Sequence, residues 1–410
     1  MSRRSVSYIL VPLLVVTLAG CMGPTKSGLE ARVNARARVN VINAQISYKL
    51  AKQSFQVGQF EAAVRAIKIA IARSPQEASY VLLQGRIYLE THRLDLAIES
   101  FEAALELHAQ LADAHYYAGI VYQRWSDDRL AYDQYRSAYE LEPSKVQYLL
   151  AAAESLVAMR EFERARQLTE EKLAYFEHNA ALRHLLGQIA LLQDEPLEAA
   201  RHLAQARLLN PDDQILLEEL ARAQFAAGLY GKCYHSVRQF QLSSEEKRAD
   251  LIHIEARCLV FLDRTIEARN LYLELTRLRS TDPHYWVELG MVAWELGDFR
   301  WVAESGNRVA VLAPERFEGY MLKALAARHE GDLQEAVTLL GRATELASDT
   351  AVPHLLLGKT LQEKGDHQAA LAAYAAAVRA EPDSPEARFL LEEVAPVPRL
   401  LTVEESANVR

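Results

Sequence analysis

Small and bulky apolar positions recur along this chain with a fixed long period. Every 34 residues a small side chain returns, at Ala51, Gly85, Gly119, Ala153, Gly187 and Ala221, and after one inserted residue at Ala256, Gly290, Ala324 and Gly358. A second small series runs through Ala63, Ala97, Ala131, Ala165, Ala199, Cys233, Ala268, Val302, Ala336 and Ala370. Four residues after it the side chain is often large, as at Ile67, Phe101, Tyr135, Leu203, Tyr272, Leu340 and Tyr374. Positions four apart share one helix face. The pattern therefore predicts two antiparallel helices per unit, packed closely through small residues while the bulky ones fill the space beside them.

Turn chemistry follows the same ruler. Gly58, Gly297, Gly331 and Gly365 all fall at position 15 of a unit, where a first helix must end in a left-handed residue. Pro75, Pro143, Pro211, Pro314 and Pro382 fall at position 32, where proline cannot continue a second helix. Ten units result, starting at Ala44, Ala78, Ala112, Val146, Ala180, Gln214, Ala249, Pro283, Phe317 and Ala351, with Arg248 as the inserted residue. Lys172 and Phe240 replace a small residue at position 27, so irregularity is expected around the fourth, sixth and seventh units. A helix-turn-helix unit of this length, with Trp286, Leu289, Gly290 and Pro314 in the eighth, resembles the tetratricopeptide repeat family. The resemblance covers residues 44–384 and implies an all-α fold, a right-handed superhelical solenoid of about ten repeats. Pro385 to Val394 reads as a further helix capping the last repeat, and 395–410, with Pro396 and Pro398, as a disordered tail.

The N-terminus follows a different rule. Arg3 and Arg4 precede an apolar run from Tyr8 to Leu18, which ends in Leu18-Ala19-Gly20-Cys21. The run is too short for a membrane span, which needs about 20 residues. It resembles a bacterial lipoprotein signal peptide. That resemblance implies cleavage after residue 20, lipidation of Cys21 and, with Met22 following, an outer-membrane anchor facing the periplasm. Residues 21–43 then form a lipidated start and a basic helical spacer carrying Arg32, Arg36 and Arg38, a solvated element or one that rests on anionic headgroups.

Charge and composition narrow the function. The chain is 50% apolar and 25% charged with a net charge of −9, which moves to −11 once residues 1–20 are removed, and so acidic an array is a poor nucleic-acid binder. Catalytic motifs fail on inspection. Gly358-Lys359-Thr360 lacks the upstream glycine of a phosphate loop, and Glu304-Ser305-Gly306 lacks the first glycine of a nucleophile elbow. The 12 histidines are scattered without metal-ligand spacing, so no metal, cofactor or catalytic residue is expected. Cys233 and Cys258 remain after Cys21 is assigned to lipid, and two buried free thiols are expected more than a disulfide.

Function then falls to the face that tetratricopeptide proteins line with positions 2, 5, 9, 12 and 13 of each first helix, the concave groove. Here it offers the cations Lys52, Arg86, Arg124, Arg222, Arg257 and Lys359 beside the rings Tyr48, Phe55, Tyr116, Phe225, Phe261 and Trp294. Cations interleaved with aromatics suit an extended acidic peptide, or an anionic polysaccharide. The competing reading pairs the arginines with Glu90, Glu154, Glu218 and Glu295 in a solvated network. A carboxylate clamp of the family's chaperone co-factors is excluded, because its Lys and Asn positions hold Tyr48 and Lys52. Trp125 and Tyr132 join Tyr116 as a second candidate patch. The resemblance implies a scaffold of protein partners in assembly of an envelope machine, a pilus or secretion channel. Exopolysaccharide export and docking of peptidoglycan hydrolases are the alternatives.

Overall fold

Two helices of near-constant length repeat along the chain, the first of each pair mostly 13 residues and the second mostly 14. A computed structural model describes residues 26–243 and 247–394. Those residues contain 21 α-helices and no strand, so the chain adopts the all-α class with helix-turn-helix units. Residues 1–25, on which the expected signal peptide and Cys21 fall, and residues 395–410, expected as a tail, lie outside the described residues.

The chain divides into two compact units, residues 1–169 and 170–410. The first contains α1 (Lys26–Gln56), α2 (Phe60–Arg73), α3 (Ala78–Glu90), α4 (Leu94–Leu107), α5 (Ala112–Arg124), α6 (Asp128–Leu141), α7 (Val146–Ala158) and most of α8 (Phe162–Leu173). The second contains α9 (Ala180–Leu192), α10 (Pro196–Leu209), α11 (Gln214–Ala226), α12 (Tyr230–Ser243), α13 (Ala249–Phe261) and α14 (Thr265–Leu278). It continues through α15 (Pro283–Glu295), α16 (Phe299–Leu312), α17 (Phe317–Glu330), α18 (Leu333–Leu346), α19 (Ala351–Lys364), α20 (His367–Ala380) and α21 (Pro385–Val394). From Ala78 onward, each first helix begins at the residue where the 34-residue period starts a unit. The first unit differs, because its first helix extends back to Lys26 and includes the basic spacer.

Size complementarity holds the pairs together. A Cβ placed on Gly85 would lie 2.5 Å from the Phe101 ring, on Gly119 2.6 Å from Tyr135, and on Gly358 2.4 Å from Tyr374. Where the small residue is alanine the facing residue is mostly aliphatic, as in Ala51 with Ile67, Ala221 with Val237 and Ala324 with Leu340, all buried. The eighth unit uses a different contact. Gly306 lets α16 approach the α17 backbone, since a Cβ there would sit 2.7 Å from the Lys323 amide nitrogen.

The turn between the helices is left-handed in all ten units. Five glycines serve, Gly58, Gly228, Gly297, Gly331 and Gly365, but His92, Ser126, Arg160, Asp194 and Asp263 adopt the same positive φ. Some helix starts are capped by a side chain, with Asp127 accepting from the Leu130 amide at 3.1 Å and Asn179 from the Leu182 amide at 3.0 Å. The expected irregularity takes a specific form. Position 27 is fully buried alanine in most units, and a lysine side chain is rarely fully buried, so α8, with Lys172 there, stops after 12 residues. Phe240 is accommodated in a buried cluster with Cys233, Val237 and Leu251, and the insertion at Arg248 falls in the connection before α13. Helices α12 and α13 keep their 14 and 13 residues. The α21 helix lays Ala387, Leu390, Leu391 and Val394 against the cluster around Tyr374 and Ala377.

Candidate functional site

First helices of neighbouring units touch, α1 with α3 and α3 with α5 in the first compact unit, and α11 with α13 in the second. Position 12 of one unit therefore meets position 9 of the next. This contact produces the same pair twice. The Arg86 guanidinium carbon lies 5.3 Å from the Phe55 ring centre and 4.8 Å from Tyr117, and that of Arg257 lies 4.7 Å from Phe225. Neither arginine has a carboxylate within ion-pair distance among the described residues. A guanidinium stacked on a ring keeps its N–H edge available for a carboxylate or phosphate, in the bidentate geometry that Lys cannot supply.

Each pair sits in a small aromatic setting. In the first compact unit, Tyr48, Lys52, Phe55, Leu82, Leu83 and Arg86 line a cleft of about 110 Å³. Tyr48 stacks on Tyr80 with ring centres 4.7 Å apart, and Lys52 is exposed with no ion pair among the described residues. In the second, Phe261 is 51% exposed and stacks on Tyr230 at 4.1 Å and 7°, with Phe225 5.6 Å from Tyr230.

The remaining predicted site residues are engaged elsewhere. Arg222 donates to Glu218 at 3.0 Å and to Asp250 at 2.5 Å, and Arg248 reaches the same Glu218 at 2.5 and 2.9 Å and Asp250 at 2.7 Å. Hydrogen bonding from Arg248, then from Arg222, outweighs burial and holds the Glu218 carboxyl below its ordinary value. Arg222 is thus part of the solvated network that the competing reading described. Arg124 donates to the Leu89 carbonyl at 3.0 Å and so caps the end of α3. Lys359 pairs with Glu386 at 2.7 Å, tying α19 to α21. The Tyr116 ring is packed among Tyr117, Tyr135 and Tyr148, with centres 4.9–5.6 Å away, which makes it part of the core. Trp294 is 38% exposed and lies 6.2 Å from Phe299. Trp125 is exposed beside Tyr122, and Tyr132 lies under Arg164 at 5.4 Å.

Tyr117, Tyr80 and Tyr230 were missed as site members because they stand outside the five lining positions. The signal that finds them is geometric: each ring stacks on or faces a lining residue one unit away or across the intra-unit turn. Cys233 and Cys258 are free, buried thiols, and hydrogen bonding to Cys258 together with burial holds the Cys233 thiol far above its ordinary value. Such thiols are inert. Two of the 12 histidines, apart in sequence, meet at one place, where His253, His284 and Glu288 bring their donor atoms within 4.8 Å of one another. Among the described residues no helix is long and apolar enough to cross a membrane.

Residues 48–112 and 82–143, and again 327–393, match tetratricopeptide repeat family descriptions. Over 282 residues the chain is 22% identical to Bos taurus BBSome complex member BBS4, covering 68% of this chain and 53% of that protein. It is 36% identical over 111 residues to cellulose synthase 2 operon protein C of Komagataeibacter xylinus, 26% of this chain and 8% of that one. The chain therefore spans about half of BBS4 and a small part of the cellulose synthase operon protein. A tetratricopeptide repeat protein from Parabacteroides merdae covers 61% of this chain and 98% of its own at 15% identity and a TM-score of 0.44. Pseudomonas aeruginosa pilF covers 53% of this chain and 97% of its own at 20% identity and a TM-score of 0.41. Residues 48–143 and 327–393 thus carry tetratricopeptide repeats, an architecture of scaffolds for protein–protein interaction.

Proposed function

We propose that this protein is a lipid-anchored scaffold of the bacterial envelope whose first-helix face captures acidic, aromatic-containing extended segments of partner proteins during assembly of a pilus or secretion machine. The observation that carries the binding part is the recurrent aromatic–arginine pair, Phe55 with Arg86 and Phe225 with Arg257, in which the cation has a ring beneath it and no carboxylate beside it. In a chain of net charge −9, a guanidinium on α3 and another on α13 that stack on rings and form no ion pair leave their N–H edges for an incoming carboxylate. Support for the anchor comes from Leu18-Ala19-Gly20-Cys21 and the basic residues before the apolar run.

Charge reversal at both arginines tests the binding part. Arg86→Glu with Arg257→Glu should weaken capture of envelope partners by about tenfold or more, given the strength of charge-assisted contacts, without unfolding the protein. Full retention of binding would place the contact on another surface. Cys21→Ala tests the anchor, since the variant should leave the membrane fraction, and unchanged sedimentation with membranes would defeat it.

A second reading has one observation in its favour. The local 36% identity to a cellulose synthase operon protein favours a scaffold in polysaccharide export, where the partner is a polymer synthase or export subunit. Direct binding of an anionic polysaccharide to the purified protein, abolished by the same charge reversal, would favour it over the first.

A further inference from the structure

Outside the aromatic–arginine pairs, the second compact unit places three metal-ligating side chains at one point. His284 and Glu288 are four residues apart on α15 and so share a face, while His253 comes from α13, the first helix of the preceding unit. The donor atoms all lie within 4.8 Å of one another, with His284 Nε2 3.6 Å and His253 Nε2 4.0 Å from Glu288 Oε1. Donors on a tetrahedral zinc ion, bound at about 2.0–2.1 Å, stand roughly 3.4 Å apart. The three groups are thus within a side-chain adjustment of a coordination sphere, and His284, 47% exposed, is free to make it.

Two further features point to a ligand. The His253 Nε2 atom is buried and has no partner within hydrogen-bond distance, its nearest acidic oxygen, Glu288 Oε1, standing 4.0 Å away, which is costly for a polar atom unless something binds between them. The Tyr272 hydroxyl donates to the other carboxylate oxygen, Glu288 Oε2, at 2.8 Å, so Oε1 is left facing the two imidazoles. A hydrogen bond of this kind fixes the orientation of a metal-ligating carboxylate. The His253 and His284 rings are nearly perpendicular, at 86°, with centres 5.1 Å apart, and the Nε2 atom of each is the one that lies near Glu288 Oε1.

We propose that His253, His284 and Glu288 form a divalent transition-metal site, with zinc as the best match, that bridges the seventh and eighth units. Two imidazole nitrogens and one carboxylate oxygen suit a borderline cation such as Zn²⁺ and are a poor set for Mg²⁺ or Ca²⁺, which take oxygen ligands. Three protein ligands leave one coordination position for water or for a donor from outside the chain. The bridge would tie α13 to α15, two first helices of adjacent units. The inference stands independently of the proposed function.

The test is a zinc titration of the full-length chain in detergent, read by competition with a chromophoric chelator and by thermal melting with and without zinc sulfate. The wild type should bind one Zn²⁺ that His284→Ala and His253→Asn each weaken by about tenfold or more. Zinc should also raise the wild-type melting temperature and leave that of His284→Ala unchanged. His284→Ala removes an exposed side chain, so its metal-free melting curve should match the wild type, and circular dichroism checks this. Equal zinc affinity in the wild type and in both variants would overturn the site, because the bound metal would then sit on other histidines. Absence of a zinc-dependent shift in the wild type would overturn it as well.

Discussion

A methyl group added to Gly119 is the sharpest probe of how the repeats pack. The new Cβ would lie 2.6 Å from both Cδ1 and Cε1 of Tyr135, against about 3.5–4.0 Å for a relaxed carbon–carbon contact, so the ring must move by roughly 1 Å. It has little freedom to do so. Tyr135 is 1% exposed, its ring is flanked by Tyr116, and its hydroxyl donates to Gln123 Oε1 at 2.9 Å. Overpacking of this kind costs about 1–3 kcal/mol, and alanine returns up to about 1 kcal/mol of helix propensity, which leaves a net loss of up to about 2 kcal/mol. The same substitution at Gly341, a helical glycine in α18 with nothing within 4 Å of its would-be Cβ, should stabilise by about 1 kcal/mol. Chemical denaturation of the two variants side by side decides the matter, because the same chemical change is expected to differ between the two sites by about 1–3 kcal/mol. Since alanine faces an aliphatic residue in the first, sixth and ninth units, Tyr135→Leu should recover part of the Gly119→Ala loss in a double-mutant cycle. A Gly119→Ala variant stabilised as much as Gly341→Ala would refute the size rule.

Three other outcomes are expected. Replacing Arg160, which holds φ at 60° in its turn, with glycine should raise stability by about 0.5–1 kcal/mol, measured as a shift in denaturation midpoint, because a left-handed non-glycine residue costs about 1–2 kcal/mol and glycine repays part of that in the unfolded chain. Glu255 is 2% exposed, and burial, partly offset by the Gln241 hydrogen bond, raises its carboxyl above the ordinary value of 4.5; its ionised form therefore costs stability above that raised value, the cost fading as pH falls toward 4.5. Glu255→Gln should accordingly melt higher than the wild type at pH 7.5, with the difference disappearing near pH 4, and a lower melting temperature at pH 7.5 would contradict the sign. Glu218 behaves oppositely: held low by Arg248 and Arg222, it contributes stability that is present above 4.5 and lost as pH falls through its depressed value, so Arg248→Ala should flatten the acid limb of a melting-temperature profile between pH 7 and 3.

The periodicity was legible because it is a packing rule written in side-chain volume. Gly85, Gly119 and Gly358 announce a large facing residue sixteen positions later, and Phe101, Tyr135 and Tyr374 supply it. The left-handed turns were legible only where glycine marks them. Asp194, Asp263 and His92 are types that tolerate the left-handed region but do not mark a turn as glycine does, and Ser126 and Arg160 take it because the helices on either side over-determine it. The candidate site divided along a similar line. Lining positions follow from the repeat, but whether a cation is spent on an internal pair depends on residues one unit away. Arg222 meets Asp250 and Lys359 meets Glu386, whereas Arg86 and Arg257 meet Phe55 and Phe225 instead. The histidine–glutamate cluster was hidden for the same reason, since His253 and His284 lie 31 residues apart in sequence and come together only when first helices stack.

The most direct test of the scaffold is photo-crosslinking in native cells, with a photoreactive side chain placed at Lys52 or Phe261 on the first-helix face and, for comparison, at the exposed second-helix positions Leu208 and Val311. Mass spectrometry would identify the adducts. The account predicts envelope-protein adducts at Lys52 and Phe261 that are lost when Arg86 and Arg257 are reversed to glutamate, with little at Leu208 or Val311. Adducts concentrated at Leu208 and Val311, or unchanged by the charge reversals, would contradict it.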